Sequence, residues 1–269
     1  MKNKPIGVFD SGLGGLTAVK EIMNLMPNED IIYFGDTARV PYGSRSSETI
    51  IKYAKQDINF LKSFDIKIIL AACGTVSSVA LPEIPNKDVK VIGVVEPAAV
   101  AAVKATKNKK IAVLGTQGTI NSRAYEKAIT KIMPEALITS VACPLFVHLV
   151  ENGYHDNEAT YLIAKDYLSE VIKSGADTVI LGCTHYPMLT QVIAEILGNK
   201  VKLINVGETA AQYLREILEQ EGKLCSEKNP TYEFYASDAK SGFDYLAKMF
   251  LKRDLGILKS VDIDKIKED

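Results

Sequence analysis

The chain of 269 residues carries a formal net charge of -1, with 47% hydrophobic and 24% charged residues. Those proportions exclude a disordered chain and a membrane-embedded one, because they lie near ordinary globular values. No block of Lys and Arg is present, which argues against nucleic acid as the main partner and leaves a small molecule as the expected ligand. No apolar run approaches the roughly 18 residues of a membrane span. Met1-Lys2-Asn3-Lys4-Pro5 leads straight into an expected strand, so a cytoplasmic chain is anticipated. The four widely separated cysteines, Cys73, Cys143, Cys183 and Cys225, read as reduced thiols and not as a disulfide framework.

Taken in order, Ile6 to Phe9 predicts a short strand, and Asp10-Ser11-Gly12-Leu13-Gly14-Gly15 a glycine turn into a helix through Leu16, Val19, Ile22 and Met23. Ile31 to Phe34 predicts a second strand, followed by a loop containing Asp36 and Pro41-Tyr42-Gly43. A helix is expected from Ser46-Ser47-Glu48, with Ile50, Ala54, Ile58 and Leu61 on one face. The unbroken apolar run Ile68-Ile69-Leu70-Ala71-Ala72 suits a strand covered on both faces and ends on Cys73. A helix around Ser77 to Leu81 and a strand from Val89 to Val95 follow. Glu96-Pro97 then opens a helix running to Thr106.

Lys110 to Thr119 repeats the outline of the amino terminus, a strand and a glycine turn, leading to a helix near Ser122 to Met133. Leu137 to Cys143 predicts a strand, Pro144 to Glu151 a short helix stopped by Asn152-Gly153, and Asn157 to Lys173 a longer one. Thr178-Val179-Ile180-Leu181-Gly182-Cys183-Thr184 repeats the Cys73 pattern, with a helix expected from about Pro187 to Leu197 and a strand from Val201 to Val206. Beyond Gly207 come a helix to Gln220, a strand from Tyr232 to Ala236, a helix from about Ala239 to Phe250, and a charged tail expected to be solvated.

This alternation predicts an α/β fold of two similar domains, each a mostly parallel sheet flanked by helices, with a cleft between them. The last elements cannot build a core alone. They are therefore assigned to the first domain, residues 1–97 and 208–269, which carries Cys73; residues 98–207 form the second, which carries Cys183. The two thiols, each at the carboxyl end of a strand, would then face each other across the cleft. Such a pair suits inversion at an acidic carbon, one thiolate removing a proton from one face while a thiol returns one to the other. Each cysteine precedes an expected helix start, where N–H groups and the helix dipole favour a thiolate.

The motifs Asp10-Ser11-Gly12-Leu13-Gly14-Gly15-Leu16, Pro41-Tyr42-Gly43, Ala72-Cys73-Gly74-Thr75 and Leu181-Gly182-Cys183-Thr184-His185-Tyr186-Pro187 together resemble the glutamate racemases of the cofactor-independent Asp/Glu racemase superfamily. The resemblance spans nearly the whole chain. It implies Cys73 and Cys183 as the two acid/bases, Asp10 beside the first and His185 beside the second. Glu151 matches a further acidic position near the second thiol. Substrate contacts are implied for Asp10, Ser11, Tyr42, Gly43, Gly74, Thr75, Thr184 and His185. The family usually has asparagine where this chain has Gly74, so a side-chain donor is replaced by a backbone N–H. The resemblance further implies a homodimer, no cofactor and supply of D-glutamate for peptidoglycan synthesis, and no metal is expected because no pair of Cys or His residues has structural zinc spacing.

Other readings stay open on the residues alone. Asp10 could simply cap a helix, and Tyr42-Gly43 could be plain turn chemistry. Cys143 and Cys225 read as small packing residues, and His148 and His155 as surface or packing ones. Asp36 is expected to do no more than support its loop. Ser11 to Gly15 lacks the spacing of a dinucleotide loop and the lysine of a P-loop. Rival functions are an aspartate racemase, a thiol redox protein, which the absence of Cys-x-x-Cys disfavours, and a non-catalytic amino-acid-binding module.

Overall fold

The computed structural model describes residues 2–85, 88–226, 229–238 and 243–267. The first elements are β1 (Ile6–Asp10), α1 (Leu16–Leu25), β2 (Ile31–Gly35), α2 (Ser47–Lys62), β3 (Ile68–Ala71), α3 (Gly74–Val79), β4 (Val91–Gly93) and α4 (Val95–Ala105). Then follow β5 (Lys110–Gly115), α5 (Gln117–Ser122), α6 (Ala124–Ile132), β6 (Leu137–Ala142), α7 (Pro144–Glu151), α8 (Glu158–Ser174) and β7 (Thr178–Leu181). The chain closes with α9 (Thr190–Leu197), β8 (Lys202–Asn205), α10 (Val206–Gln220), β9 (Tyr232–Ala236), α11 (Phe243–Leu251) and β10 (Leu258–Ser260).

The strands form two parallel sheets with helices packed on them, an α/β architecture. One sheet has the order β10-β9-β2-β1-β3-β4 and the other β6-β5-β7-β8. Within them β2-β1-β3-β4 and β6-β5-β7-β8 follow the same path, so the two halves share one topology. In each, the chain leaves its first strand to one side and returns on the other. The crevice outside that point of reversal is where parallel α/β sheets bind ligands. In the first sheet it lies between β1, which ends on Asp10, and β3, which leads to Cys73. In the second it lies between β5, which leads to Thr116, and β7, which leads to Cys183.

The central strands β1, β2, β3 and β7 are buried at every residue, as strands covered on both faces must be. Helix ends follow local chemistry. Ser46 Oγ accepts the Thr49 N–H at 3.3 Å to cap α2, with Glu48 in its first turn and Lys62 in its last. Asn157 caps α8 through the Thr160 N–H at 3.0 Å, and Gly175 ends it at φ 68°. At the end of the first sheet remote from the crevice, Lys67 and Glu29 form a buried ion pair. Lys67 Nζ also donates to the carbonyls of Lys2 at 2.9 Å and Lys223 at 3.0 Å, tying distant segments together.

Several elements differ from expectation. The helix after Cys73 begins at Gly74, not near Ser77. α6 forms where a helix is expected across 122–133, but the glycine turn expected before it is the short helix α5, parted from α6 by Arg123 in the left-handed conformation (φ 55°, ψ 22°). Pro187 sits in a 3-10 turn, Tyr186–Leu189, and α9 starts only at Thr190. The tail expected to be solvated instead adds β10 to the sheet edge and buries Ile263, while Gln56 Nε2 donates to the Ile266 carbonyl at 2.9 Å. The helix start expected near Ala239 lies outside the described residues.

Candidate active site

Cys73 and Cys183 lie two residues beyond the ends of β3 and β7, after Ala72 and Gly182, and both are buried free thiols. They border a single cavity of about 20 Å³, together with Ser11, Tyr42, Gly43, Gly74, Thr75, Thr184 and His185. That space is close to what one water occupies, so the two halves are tightly closed here. Asp10 and Glu151 stand one hydrogen bond behind the wall. All the residues singled out in the sequence therefore converge on one place.

On the first side, the Cys73 thiol donates to Ser11 Oγ at 3.5 Å. The fully buried Asp10 carboxylate accepts the Gly12 N–H at 3.2 Å and the Thr184 hydroxyl at 3.3 Å. Burial is the main effect raising the Asp10 pKa, opposed by His185 and by hydrogen bonds from Gly15, Gly12 and Thr184. Burial, and then the nearby Asp10 carboxylate, push the Cys73 thiol from the ordinary value of 9.0 up to about 12. This reverses the expectation of a lowered thiol pKa. Cys73 does sit at the N-terminus of α3, but a helix end supplies only about 0.3–1 kcal/mol at exposed sites, too little against desolvation of a thiolate.

The second side is a chain of three groups. The Cys183 sulfur lies 3.8 Å from His185 Nδ1, and His185 Nε2 lies 3.0 Å from Glu151 Oε1 at the end of α7. Burial opposes protonation of His185, but the Cys183 sulfur and the Glu151 carboxylate outweigh it and raise its pKa from 6.5 to about 10. His185 is thereby held as a cation at neutral pH, its ring edge set against Phe250 at a centroid distance of 5.4 Å.

The two halves meet along a seam of small residues. Gly74 packs on the Gly182 carbonyl so closely that a β-carbon at position 74 would overlap that oxygen. Beside it, the Thr75 and Thr116 hydroxyls are 2.9 Å apart, joining one half to the other. Thr116 also borders the cavity, as do Val40, Pro41 and Val147, and sequence reasoning did not single these out. For Thr116 a signal existed. It follows β5 in the repeat of the strand and glycine turn that places Ser11 after β1.

Tyr42 is fully buried, with its hydroxyl donating to the carboxylates of Asp36 and, at 3.1 Å, Asp57. The hydroxyl is thus committed behind the cavity wall. Arg39 binds the same two acids and donates to Gln56 Oε1 at 2.6 Å, its guanidinium 4.0 Å from the centre of the Tyr53 ring. Asp36 additionally accepts from Ser237 at 2.7 Å, so it supports the 40–43 loop as expected.

The model of the family described as Asp/Glu/Hydantoin racemase matches residues 16–214. A glutamate racemase of Geobacter metallireducens is 45% identical over 268 residues, covering 98% of this chain and 99% of its own. The crystal structure of a Francisella tularensis glutamate racemase in complex with D-glutamate superposes with a TM-score of 0.93 at 41% identity, covering 98% of this chain and 99% of that one. A glutamate racemase isoform of Bacillus anthracis gives a TM-score of 0.94 at 39% identity, covering 97% of this chain and 98% of that one. With its two-sheet α/β fold and near full-length similarity to these enzymes, the chain belongs to the Asp/Glu/hydantoin racemase family.

Proposed function

We propose that this racemase interconverts L- and D-glutamate without a cofactor, using Cys73 and Cys183 as its two acid/bases. The observation that carries the reading is that two free thiols, delivered by equivalent strands of two sheets, border one small cavity. Their neighbours differ in charge. Cys73, held protonated by burial and by Asp10, is the proton donor of this arrangement, and Cys183, beside the His185 cation, is the acceptor. From L-glutamate, the Cys183 thiolate takes the α-proton, leaving a carbanion, and the Cys73 thiol delivers its proton to the opposite face. The product is D-glutamate, with thiol and thiolate exchanged. Reversal starts from Cys73 as thiolate and Cys183 as thiol.

Hydroxyls and backbone N–H groups at Ser11, Gly43, Gly74, Thr75 and Thr184 hold the carboxylates and amino group of the substrate. Asp10 tunes the first thiol, and His185 with Glu151 serves the second. A cavity of about 20 Å³ is far smaller than glutamate, so the halves separate to admit it and close to exclude water, which strengthens every charge interaction around the carbanion. In this reading the domains are 1–97 with 208–269, and 98–207, hinged across the cleft. The enzyme is cytoplasmic and, as the resemblance in its motifs implies, a homodimer supplying D-glutamate for peptidoglycan.

Polarimetry tests the assignment. Purified protein given L-glutamate, with no pyridoxal phosphate added, is expected to bring optical rotation to zero while leaving L-aspartate unchanged. Persistent rotation of glutamate, or loss of rotation for aspartate alone, overturns it.

A further inference from the structure

Tyr125, in the first turn of α6, is 2% exposed, and its hydroxyl finds no hydrogen-bond partner among the described residues. A buried hydroxyl without a partner costs on the order of 1–3 kcal/mol, and phenylalanine would fill the same space without that cost. The ring is not remote from the chemistry. A β-carbon on Gly182, the residue before Cys183, would lie 3.3 Å from Tyr125 Cε2 and 3.6 Å from Cζ, so the hydroxyl-bearing end of the ring abuts the backbone that presents the second thiol. Gly182 in turn carries the carbonyl on which Gly74, next to the first thiol, is packed. Burial first, and then the charges of Cys183 and Cys73, raise the Tyr125 pKa, so this hydroxyl keeps its proton and feels both sulfurs.

Two residues before Tyr125 the backbone turns sharply. Arg123, not a glycine, takes the left-handed conformation (φ 55°, ψ 22°) that breaks α5 from α6. Such a conformation is uncommon outside glycine and carries a small energetic cost.

Building on the two-thiol reading above, we propose that Tyr125 is a positioning residue of the reaction, its hydroxyl dipole stabilising the negative charge that passes between the two thiols. In a site closed to water, a fixed dipole acts on charge with little reorganisation, which is the form of electrostatic help most effective in catalysis. The hydroxyl that has no hydrogen-bond partner among the described residues finds its use in the negative charge carried in turn by one sulfur, the carbon between them and the other sulfur.

The test is Tyr125→Phe, assayed beside the unaltered enzyme in both directions and across pH. The expected result is a fall in kcat of about tenfold or more with little change in KM, a pH profile displaced upward, and a Tm unchanged or raised. A variant with unaltered kinetics and a raised Tm overturns the proposal, because the hydroxyl is then idle. Replacing Tyr125 with 3-fluorotyrosine keeps the shape and sharpens the donor, and a displaced pH profile is expected there as well. An unmoved profile in that protein counts against the proposal even if the phenylalanine variant folds poorly. Failure of the unaltered enzyme to racemise glutamate would instead remove the two-thiol reading itself.

Discussion

Gly74 and the Gly182 carbonyl, from opposite halves of the molecule, touch so closely that no β-carbon fits between them. The contact lies beside both thiols, Gly74 following Cys73 and Gly182 preceding Cys183. Gly74→Ala and Gly74→Asn are therefore both expected to hold the loops apart, even though asparagine is what the motif resemblance leads one to expect there. A misplacement on the order of 1 Å costs about 100-fold in rate. Steady-state kinetics on purified variants should show kcat falling by about that factor. Full activity in Gly74→Asn would mean that the seam relaxes freely.

The Cys183, His185 and Glu151 chain predicts a pH-dependent stability. His185 has a folded pKa of about 10 against 6.5 for the free group, so its contribution is fully present below pH 6.5 and is lost as pH rises through 10. Replacing Glu151 with glutamine weakens the support for the cation. The difference in Tm between the unaltered protein and Glu151→Gln should accordingly be larger at pH 6.5 than above pH 10. Calorimetry at the two pH values checks this, and an equal difference at both would place the His185 cation elsewhere.

Behind the 40–43 loop, Asp36 and Asp57 are buried together and depend on Arg39 for a counter-charge. Burial and the Asp36 carboxylate already push the Asp57 pKa well up. Arg39→Met leaves two adjacent buried acids without a cation, a change that typically costs about 3–5 kcal/mol. Urea denaturation should show a loss of that size. A rise in KM should accompany it, since Tyr42, anchored on the same acids, carries the loop that borders the cavity.

Much of this arrangement is legible in the sequence, for physical reasons that differ by element. The runs ending on Cys73 and Cys183 are unbroken and apolar because their strands are covered on both faces, and that pattern is visible without a structure. Thr116 is announced only by its place after β5 in the repeat that puts Ser11 after β1, because a single threonine after a strand otherwise looks the same whether it faces solvent or a cleft. The break at Arg123 carries no glycine or proline to announce it. Val261, Ile263 and Ile266 are too few and too interspersed with charges to show that the tail packs on α2. Protonation was the least legible feature. The helix start after Cys73 is readable in sequence, whereas the burial that outweighs it depends on residues brought in from both halves.

The most direct test of the two-thiol account is proton exchange by single-cysteine variants in heavy water. L- or D-glutamate is incubated with the unaltered enzyme, with Cys73→Ala and with Cys183→Ala, and the α-hydrogen NMR signal is followed together with optical rotation. The account predicts that the unaltered enzyme loses both signals from either enantiomer, and that each variant, though folded, fails to racemise. Normal racemisation by either variant would contradict it.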